Sequence, residues 1–228
     1  GEGFFGVARR VEDYVVVAGT AGLGTGIVVG GLLLRGAAGW AGEFGHTTID
    51  DSGPQCHCGN RGCWEVFAGE RALAARIGRA VHAGRRTSLA DDVGAGATPT
   101  VPGISAAAAA GDAVAIEALA ESGRYLGIGL ANLIDALNPS LVVLGGPMSL
   151  AADQLLPAIA DEVERRAMRL QRQACRLEVA RRRFDSGAMD AVAVALAARF
   201  NPDHLRISRP GPVGEDGRVP AARQMPVA

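Results

Sequence analysis

Aromatic residues are scarce in this chain: 2 Trp, 2 Tyr and 6 Phe among 228 residues. Charge of one sign is missing too, because 23 Lys and Arg against 24 Asp and Glu leave a formal net charge of -1. No field covers the whole molecule to draw in nucleic acid or an anionic membrane. The basic residues Arg165, Arg166, Arg169, Arg172, Arg176 and Arg181 to Arg183 have acidic residues, and no aromatic ones, interleaved among them. They read as a solvated helix face and not as a nucleic-acid patch. Long apolar runs are absent as well: Val15 to Ala18 and Leu141 to Leu144 stop far short of the roughly 20 residues a membrane helix needs. No signal-peptide pattern opens the sequence. What is present is 48% hydrophobic residues and 32 glycines, too apolar for disorder and enough for one large domain or two small ones.

Gly1 to Arg10 reads as the end of a helix and a loop with no Met before it, which gives the expectation of an N-terminal truncation. A valine-rich strand follows from Val11 to Gly19, then the glycine-rich turn Gly22 to Gly26, then a hairpin partner from Ile27 to Leu34. Glu70 to Ala83 has helical spacing, whereas Gly84 to Gly103 mixes Arg, Asp, Gly and Pro without a period and reads as a loop. Ile104 to Leu137 reads as two helices broken near Gly111 and Asp112, with Asp112 as N-cap and Asn138-Pro139 as the stop. Leu141 to Leu144 is a buried strand running into Gly145-Gly146-Pro147, the strand-to-loop transition of an α/β sheet. A helix over 155 to 170, a strand over 177 to 180 and an alanine-rich helix over 187 to 200 complete the reading. The domain therefore extends over 1 to 200, and the segment 201 to 228, with prolines, glycines and charges but no apolar period, reads as a poorly ordered tail.

Three of the four cysteines fall within eight positions, in Cys56-His57-Cys58-Gly59-Asn60-Arg61-Gly62-Cys63-Trp64-Glu65. Glu43-Phe44-Gly45-His46 lies shortly before them. Cys56 and Cys58 are too close in sequence to bridge without strain, and a reducing cytoplasm keeps such residues as thiols, so metal is favoured over disulfides. One imidazole and three thiolates supply a closed tetrahedral zinc site with no open position for water, which makes it structural. The ligand set read here is His46, Cys56, Cys58 and Cys63. His57 competes with His46 for the imidazole place, and its position between two cysteines turns its side chain away from a metal held by its neighbours. Cys175 stands alone in a helical stretch and reads as an inert buried thiol.

Glu43-x-Gly-His46 followed by Cys-x-Cys-Gly-Asn-Arg-Gly-Cys-x-Glu resembles the signature of ROK proteins, a family of bacterial sugar kinases and sugar-responsive transcriptional regulators. The likeness is dense from about Val15 to Glu65 and returns at Leu126 to Met148 and Gly187 to Leu196. It implies an α/β, actin-like sugar kinase (ribonuclease H-like) fold, mainly the C-terminal lobe, with a zinc-binding loop over 43 to 65. It further implies that Glu43, His46 and Glu65 contact sugar hydroxyls, with His46 holding zinc through its other nitrogen. Gly22, Gly24 and Gly26 match the family's phosphate-binding hairpin, and Gly145 and Gly146 the stretch near adenosine. Those glycines matter for nucleotide only if the protein is a kinase.

Two features separate enzyme from sensor. Family kinases carry Gly-Thr-Gly-x-Gly in the hairpin, where this chain has Thr20-Ala21-Gly22-Leu23-Gly24. The resemblance also places the kinases' general base and first phosphate motif before Gly1, so these residues are expected to hold no complete phosphoryl-transfer site and no catalytic residue. The preferred reading is the sugar-sensing effector domain of a ROK-type repressor in the cytoplasm. It implies a hexose or N-acetylhexosamine ligand, a homodimer, no membrane, and DNA contacted only through a missing N-terminal domain. The alternative is an ATP-dependent, glucokinase-like hexokinase using magnesium with its nucleotide.

Overall fold

The computed structural model describes residues 6–18 and 22–180. Among these a five-stranded mixed sheet has the order β3-β2-β1-β4-β5, with β1 at Tyr14–Ala18, β2 at Gly24–Val29, β3 at Leu32–Leu33, β4 at Leu141–Leu144 and β5 at Arg176–Val179. β1 runs antiparallel to β2, with Val16 opposite Gly26, and parallel to β4, with Tyr14 opposite Leu141 and Val17 opposite Leu144. β4 is parallel to β5. A parallel neighbour requires a long crossover, and here the whole segment from 34 to 140 supplies it. All four residues of β4 are buried, which is why its sequence is an unbroken apolar run.

The helices are α1 at Trp64–Ala68, α2 at Glu70–His82, α3 at Ala90–Gly94, α4 at Val101–Ala109, α5 at Ala113–Leu137, α6 at Ala152–Arg166 and α7 at Arg169–Ala174. They pack on one sheet face, where Val15, Val17, Val142 and Leu144 join Trp64, Leu126, Leu130, Leu155 and Ile159 in the main core. The alternate residues Tyr14, Val16, Leu141 and Val143 point to the other face and meet Ala8 and Val11, as the period of two demands.

Asp112 begins α5 by accepting from the N–H groups of Val114 at 3.0 Å and Ala115 at 3.1 Å. Its second oxygen accepts from the Thr87 hydroxyl at 2.8 Å and from the Ser88 N–H at 2.6 Å. These donors outweigh the burial that pushes the other way, and the carboxyl titrates at about 2 instead of 3.8. Asn138 ends α5 in the left-handed region at φ 44°, a conformation Asn tolerates. Between the ends, Gly123 and Gly127 let α6 approach so closely that a Cβ at 127 would lie 2.8 Å from the Ile159 carbonyl oxygen.

Several expectations need correction. The hairpin partner of β1 starts at Gly24, not Ile27, and a second reversal at Gly30 and Gly31, both at positive φ, divides the run to Leu34 into β2 and β3. The loop expected over 84 to 103 contains α3 and the first turn of α4, whose N-cap Thr100 accepts from Gly103 N–H. The helix expected over 155 to 170 begins at Ala152 and ends at Arg166, with the shorter α7 after it. Cys175 is not in a helix: it is half-buried at the junction of α7 and β5, and burial pushes its thiol up to about 11. The expected helix over 187 to 200, the tail from 201, Ala21 and the arginines from 181 lie outside the described residues.

Candidate metal and ligand site

The chain reaches the site from β3 through a 3-10 turn at Phe44–His46. This turn lies against the β1–β2 hairpin because residue 45 has no side chain: a Cβ there would sit 1.8 Å from the Leu23 carbonyl oxygen. The segment then returns as a pair of tight reversals, with Thr48 bridged to Cys63 and Gln55 to Arg61, and enters α1 at Trp64. The Asn60 side-chain amide donates to the Thr48 hydroxyl at 3.0 Å and its oxygen accepts from Arg61 N–H. These bonds close the cysteine loop with little apolar surface of its own.

Ligand atoms of His46, Cys56, Cys58 and Cys63 all lie within 4.8 Å of one another. The Cys58 and Cys63 sulfurs are 3.7 Å apart, and Cys56 Sγ is 3.5 Å from His46 Nδ1. A tetrahedron built on zinc bonds of about 2.3 Å to sulfur and about 2.0 Å to nitrogen has edges of about 3.8 Å and about 3.5 Å. The donor set and its spacing thus fit a closed metal centre. Burial pushes the Cys56 thiol up to about 12 and raises Cys63, while the Asn60 backbone N–H lowers Cys58. A cation bound there would have to displace the protons of the buried pair.

Glu65 is 8% exposed and stands against this cluster. Its Oε1 accepts from the Cys56 thiol at 3.0 Å and is 3.6 Å from His46 Nδ1, while Oε2 accepts from Leu23 N–H at 3.4 Å. Gly22 permits that approach, since a Cβ there would meet Oε2 at 2.5 Å. Glu43 reaches the other nitrogen of His46, with Oε2 3.8 Å from Nε2. The structure therefore gathers Glu43, His46 and Glu65 into one acidic, imidazole-centred corner, with Cys56 in contact with both His46 and Glu65. Carboxylates held in such a corner can accept hydrogen bonds from a hydroxyl-bearing ligand.

His57 is the correction here. Its ring does not turn away from the cluster: Nδ1 lies 3.0 Å from Glu65 Oε1 and 3.8 Å from Cys56 Sγ, and the two imidazoles meet edge to face at 5.1 Å. It forms an overlapping group with His46 and Glu65. Sequence spacing could not show this, because the reversal at Cys56 to Gly59 decides where an intervening side chain points. Arg76 was missed as well. It is 7% exposed in α2 and donates to the Phe67 carbonyl at 2.7 Å and the Ser122 hydroxyl at 2.9 Å, with Glu121 3.1 Å from its Nε. The apolar spacing of α2 gave the signal, since Arg76 falls on its buried face between Leu73 and Ile77.

Of the hairpin glycines, Gly24 and Gly26 lie within β2, opposite Ala18 and Val16, and not in the turn as expected. Two neighbouring N–H groups are engaged inside the protein: Leu23 to Glu65 and Thr25 to the Gly42 carbonyl at 3.1 Å. Gly145 and Gly146 follow β4 beside the end of β1, where Gly145 N–H donates to the Val17 carbonyl at 2.8 Å. This is the carboxyl end of adjacent strands, the usual ligand side of an α/β sheet.

Comparison with known proteins places these features in a group. The xylose repressor of Caldicellulosiruptor bescii is 34% identical over 202 residues, 86% of this chain and 49% of that protein. The crystal structure of a ROK family transcriptional regulator, a homologue of the E. coli MLC protein, superposes with a TM-score of 0.73 at 34% identity, covering 79% of this chain and 45% of that one. A ROK family glucokinase from Streptomyces griseus, solved with glucose and AMPPNP, gives 0.68 at 28% identity, covering 85% and 63%. The chain spans about half the length of the curated relatives it matches. The architecture is the α/β, actin-like sugar kinase fold of those neighbours. With the model of the ROK family matching residues 1–198, the chain belongs to the ROK family.

Proposed function

We propose that this chain is the sugar-sensing effector part of a ROK-type transcriptional repressor, binding a hexose or N-acetylhexosamine beside a structural zinc. The observation that carries the reading is the convergence of Glu43 and Glu65 on His46 in front of a tetrahedral set of His46, Cys56, Cys58 and Cys63. Zinc on these four residues would supply no reaction step. It would fix the imidazole and neutralise thiolates next to the Glu65 carboxylate, leaving both carboxylates to accept sugar hydroxyls. In this reading the protein is a cytoplasmic homodimer, and DNA is contacted by a separate domain of the whole protein. Sugar binding then shifts the dimer between DNA-competent and released states through its differential affinity for the two. The 34% identity to a xylose repressor along 202 residues supports this reading.

A second reading, an ATP-dependent sugar kinase, is favoured by the likeness to the S. griseus glucokinase. In it, Gly22, Gly24, Gly26, Gly145 and Gly146 line a nucleotide bound with magnesium. Engagement of Leu23 and Thr25 N–H groups by Glu65 and Gly42 weighs against a phosphate-cradling hairpin.

Titration calorimetry of the zinc-loaded protein with D-glucose, D-mannose and N-acetylglucosamine tests the sensor reading. One sugar should bind, and Glu65→Gln should abolish the heat. No binding by any of the three, or robust ATP-dependent turnover of the whole protein, would overturn it.

A further inference from the structure

His57 belongs neither to the set His46, Cys56, Cys58 and Cys63 nor to the trio Glu43, His46 and Glu65, yet its ring touches both. Its Nδ1 lies 3.0 Å from Glu65 Oε1 and 3.8 Å from Cys56 Sγ, and its ring meets that of His46 edge to face at 5.1 Å. Its side chain is 69% exposed and that of Glu65 7%, so a surface imidazole covers a buried carboxylate. Backbone bonds aim it there. Cys56 N–H donates to the Asn60 carbonyl at 2.8 Å and Gly59 N–H to the Cys56 carbonyl at 3.0 Å, with Gly59 in the left-handed region at φ 93°, where a residue without Cβ is at ease.

A buried carboxylate needs donors, and those of Glu65 can be followed oxygen by oxygen. Oε2 accepts from Leu23 N–H at 3.4 Å. Oε1 accepts from the Cys56 thiol at 3.0 Å and faces His46 Nδ1 at 3.6 Å. Both of these partners of Oε1 belong to the metal set, and a metal-bound thiolate has no proton to give. His57 is then the side-chain donor left to Oε1. Because an ionised carboxylate only accepts, Nδ1 must carry the ring proton in that bond. With one protein donor on each oxygen, each oxygen keeps a lone pair for a ligand hydroxyl.

We propose that His57 is a positioning residue of the ligand corner, a role that rests on the sensor reading of the same site. Its Nδ1–H holds Glu65 Oε1 while Leu23 N–H holds Oε2, and the carboxylate fixed in this way takes the sugar.

Two substitutions separate a hydrogen-bonding role from a packing one. His57→Asn keeps an N–H donor near the place of Nδ1 and gives up the ring, whereas His57→Phe keeps a ring against His46 and gives up the donor. In titration calorimetry of the zinc-loaded protein with D-glucose, D-mannose and N-acetylglucosamine, His57→Phe should weaken the sugar that binds about tenfold, the share of one charge-assisted hydrogen bond. His57→Asn should recover most of that loss. Native mass spectrometry should find the same zinc content in the parent and both variants, since His57 is not a ligand. NMR of the parent with labelled histidine, in mildly alkaline buffer where the ring is neutral, should show His57 as the Nδ1–H tautomer. Parent-like binding by His57→Phe, weaker binding by His57→Asn than by His57→Phe, loss of zinc from either variant, or an Nε2–H ring would overturn the proposal while the sensor reading stands. A parent that binds none of the three sugars would overturn the sensor reading and the proposal with it.

Discussion

The loop over 43 to 63 and the α5–α6 helix pair hold their shapes by opposite means. The helix pair is held by packing: Gly123 and Gly127 bring two backbones together, and leucines 126, 130 and 155 with Ile159 are buried at the contact. The loop contributes few buried apolar side chains. It is set by backbone reversals, by Asn60, and by the side chains that converge on one point between His46 and Cys63. Packing tolerates loss of any one ligand but no added volume, whereas a ligand set tolerates volume at its rim but no loss of a donor.

The largest effect that would test this contrast is Gly127→Leu. The Cβ alone would lie 2.6 Å from Glu162 Cβ, and the substitution should cost about 3 kcal/mol in urea unfolding, while the folded fraction keeps its metal. Cys58→Ser should do the reverse. Bound zinc, measured by native mass spectrometry, should be lost and stability should fall by about 2 kcal/mol, with helical circular dichroism nearly intact. A fully stable, zinc-free variant would remove the metal argument. Asp112→Ala, which unpins α5 from the 87–88 turn, should cost about 1 to 2 kcal/mol near neutral pH. Because the folded carboxyl titrates at about 2 against 3.8 for an ordinary one, this contribution is complete above about pH 4 and fades as pH falls through 2. Parent and variant melting curves should therefore converge in acid. Trp64→Phe should be the mildest, at about 1 kcal/mol for the bond donated to the Tyr125 carbonyl, with a measurable weakening of sugar binding.

The two regions were also unequally legible. β4 and the break at Asp112 were readable at residue resolution, since an unbroken apolar run and an N-cap are local signals. The start of β2 was not, because glycines that resemble a turn in sequence are held in a strand by pairing with Val16 and Ala18. α3 escaped notice because it is a single short turn with no buried residue and hence no apolar period. At the site, spacing singled out His46, Cys56, Cys58 and Cys63, whose donor atoms lie within 4.8 Å of one another. It could not show His57 folding back on Glu65, because that depends on where the reversal at 56 to 59 aims a ring. Cys175 was misplaced for a similar reason, since one residue at the end of a short helix has no periodic context.

Residues 63 to 65 have one consequence that none of them has singly. Cys63 faces the cysteine cluster, Trp64 is sunk against α5 with its indole N–H 2.7 Å from the Tyr125 carbonyl, and Glu65 faces the ligand corner. At about 100° of rotation per residue, one helical turn meshes three surroundings like a small gear. Its middle tooth is seated against a glycine, where a Cβ at 129 would strike the ring at 2.0 Å. A displacement of the long helix at Gly129 would press on Trp64 and, through the backbone on either side of it, on Cys63 and Glu65 together.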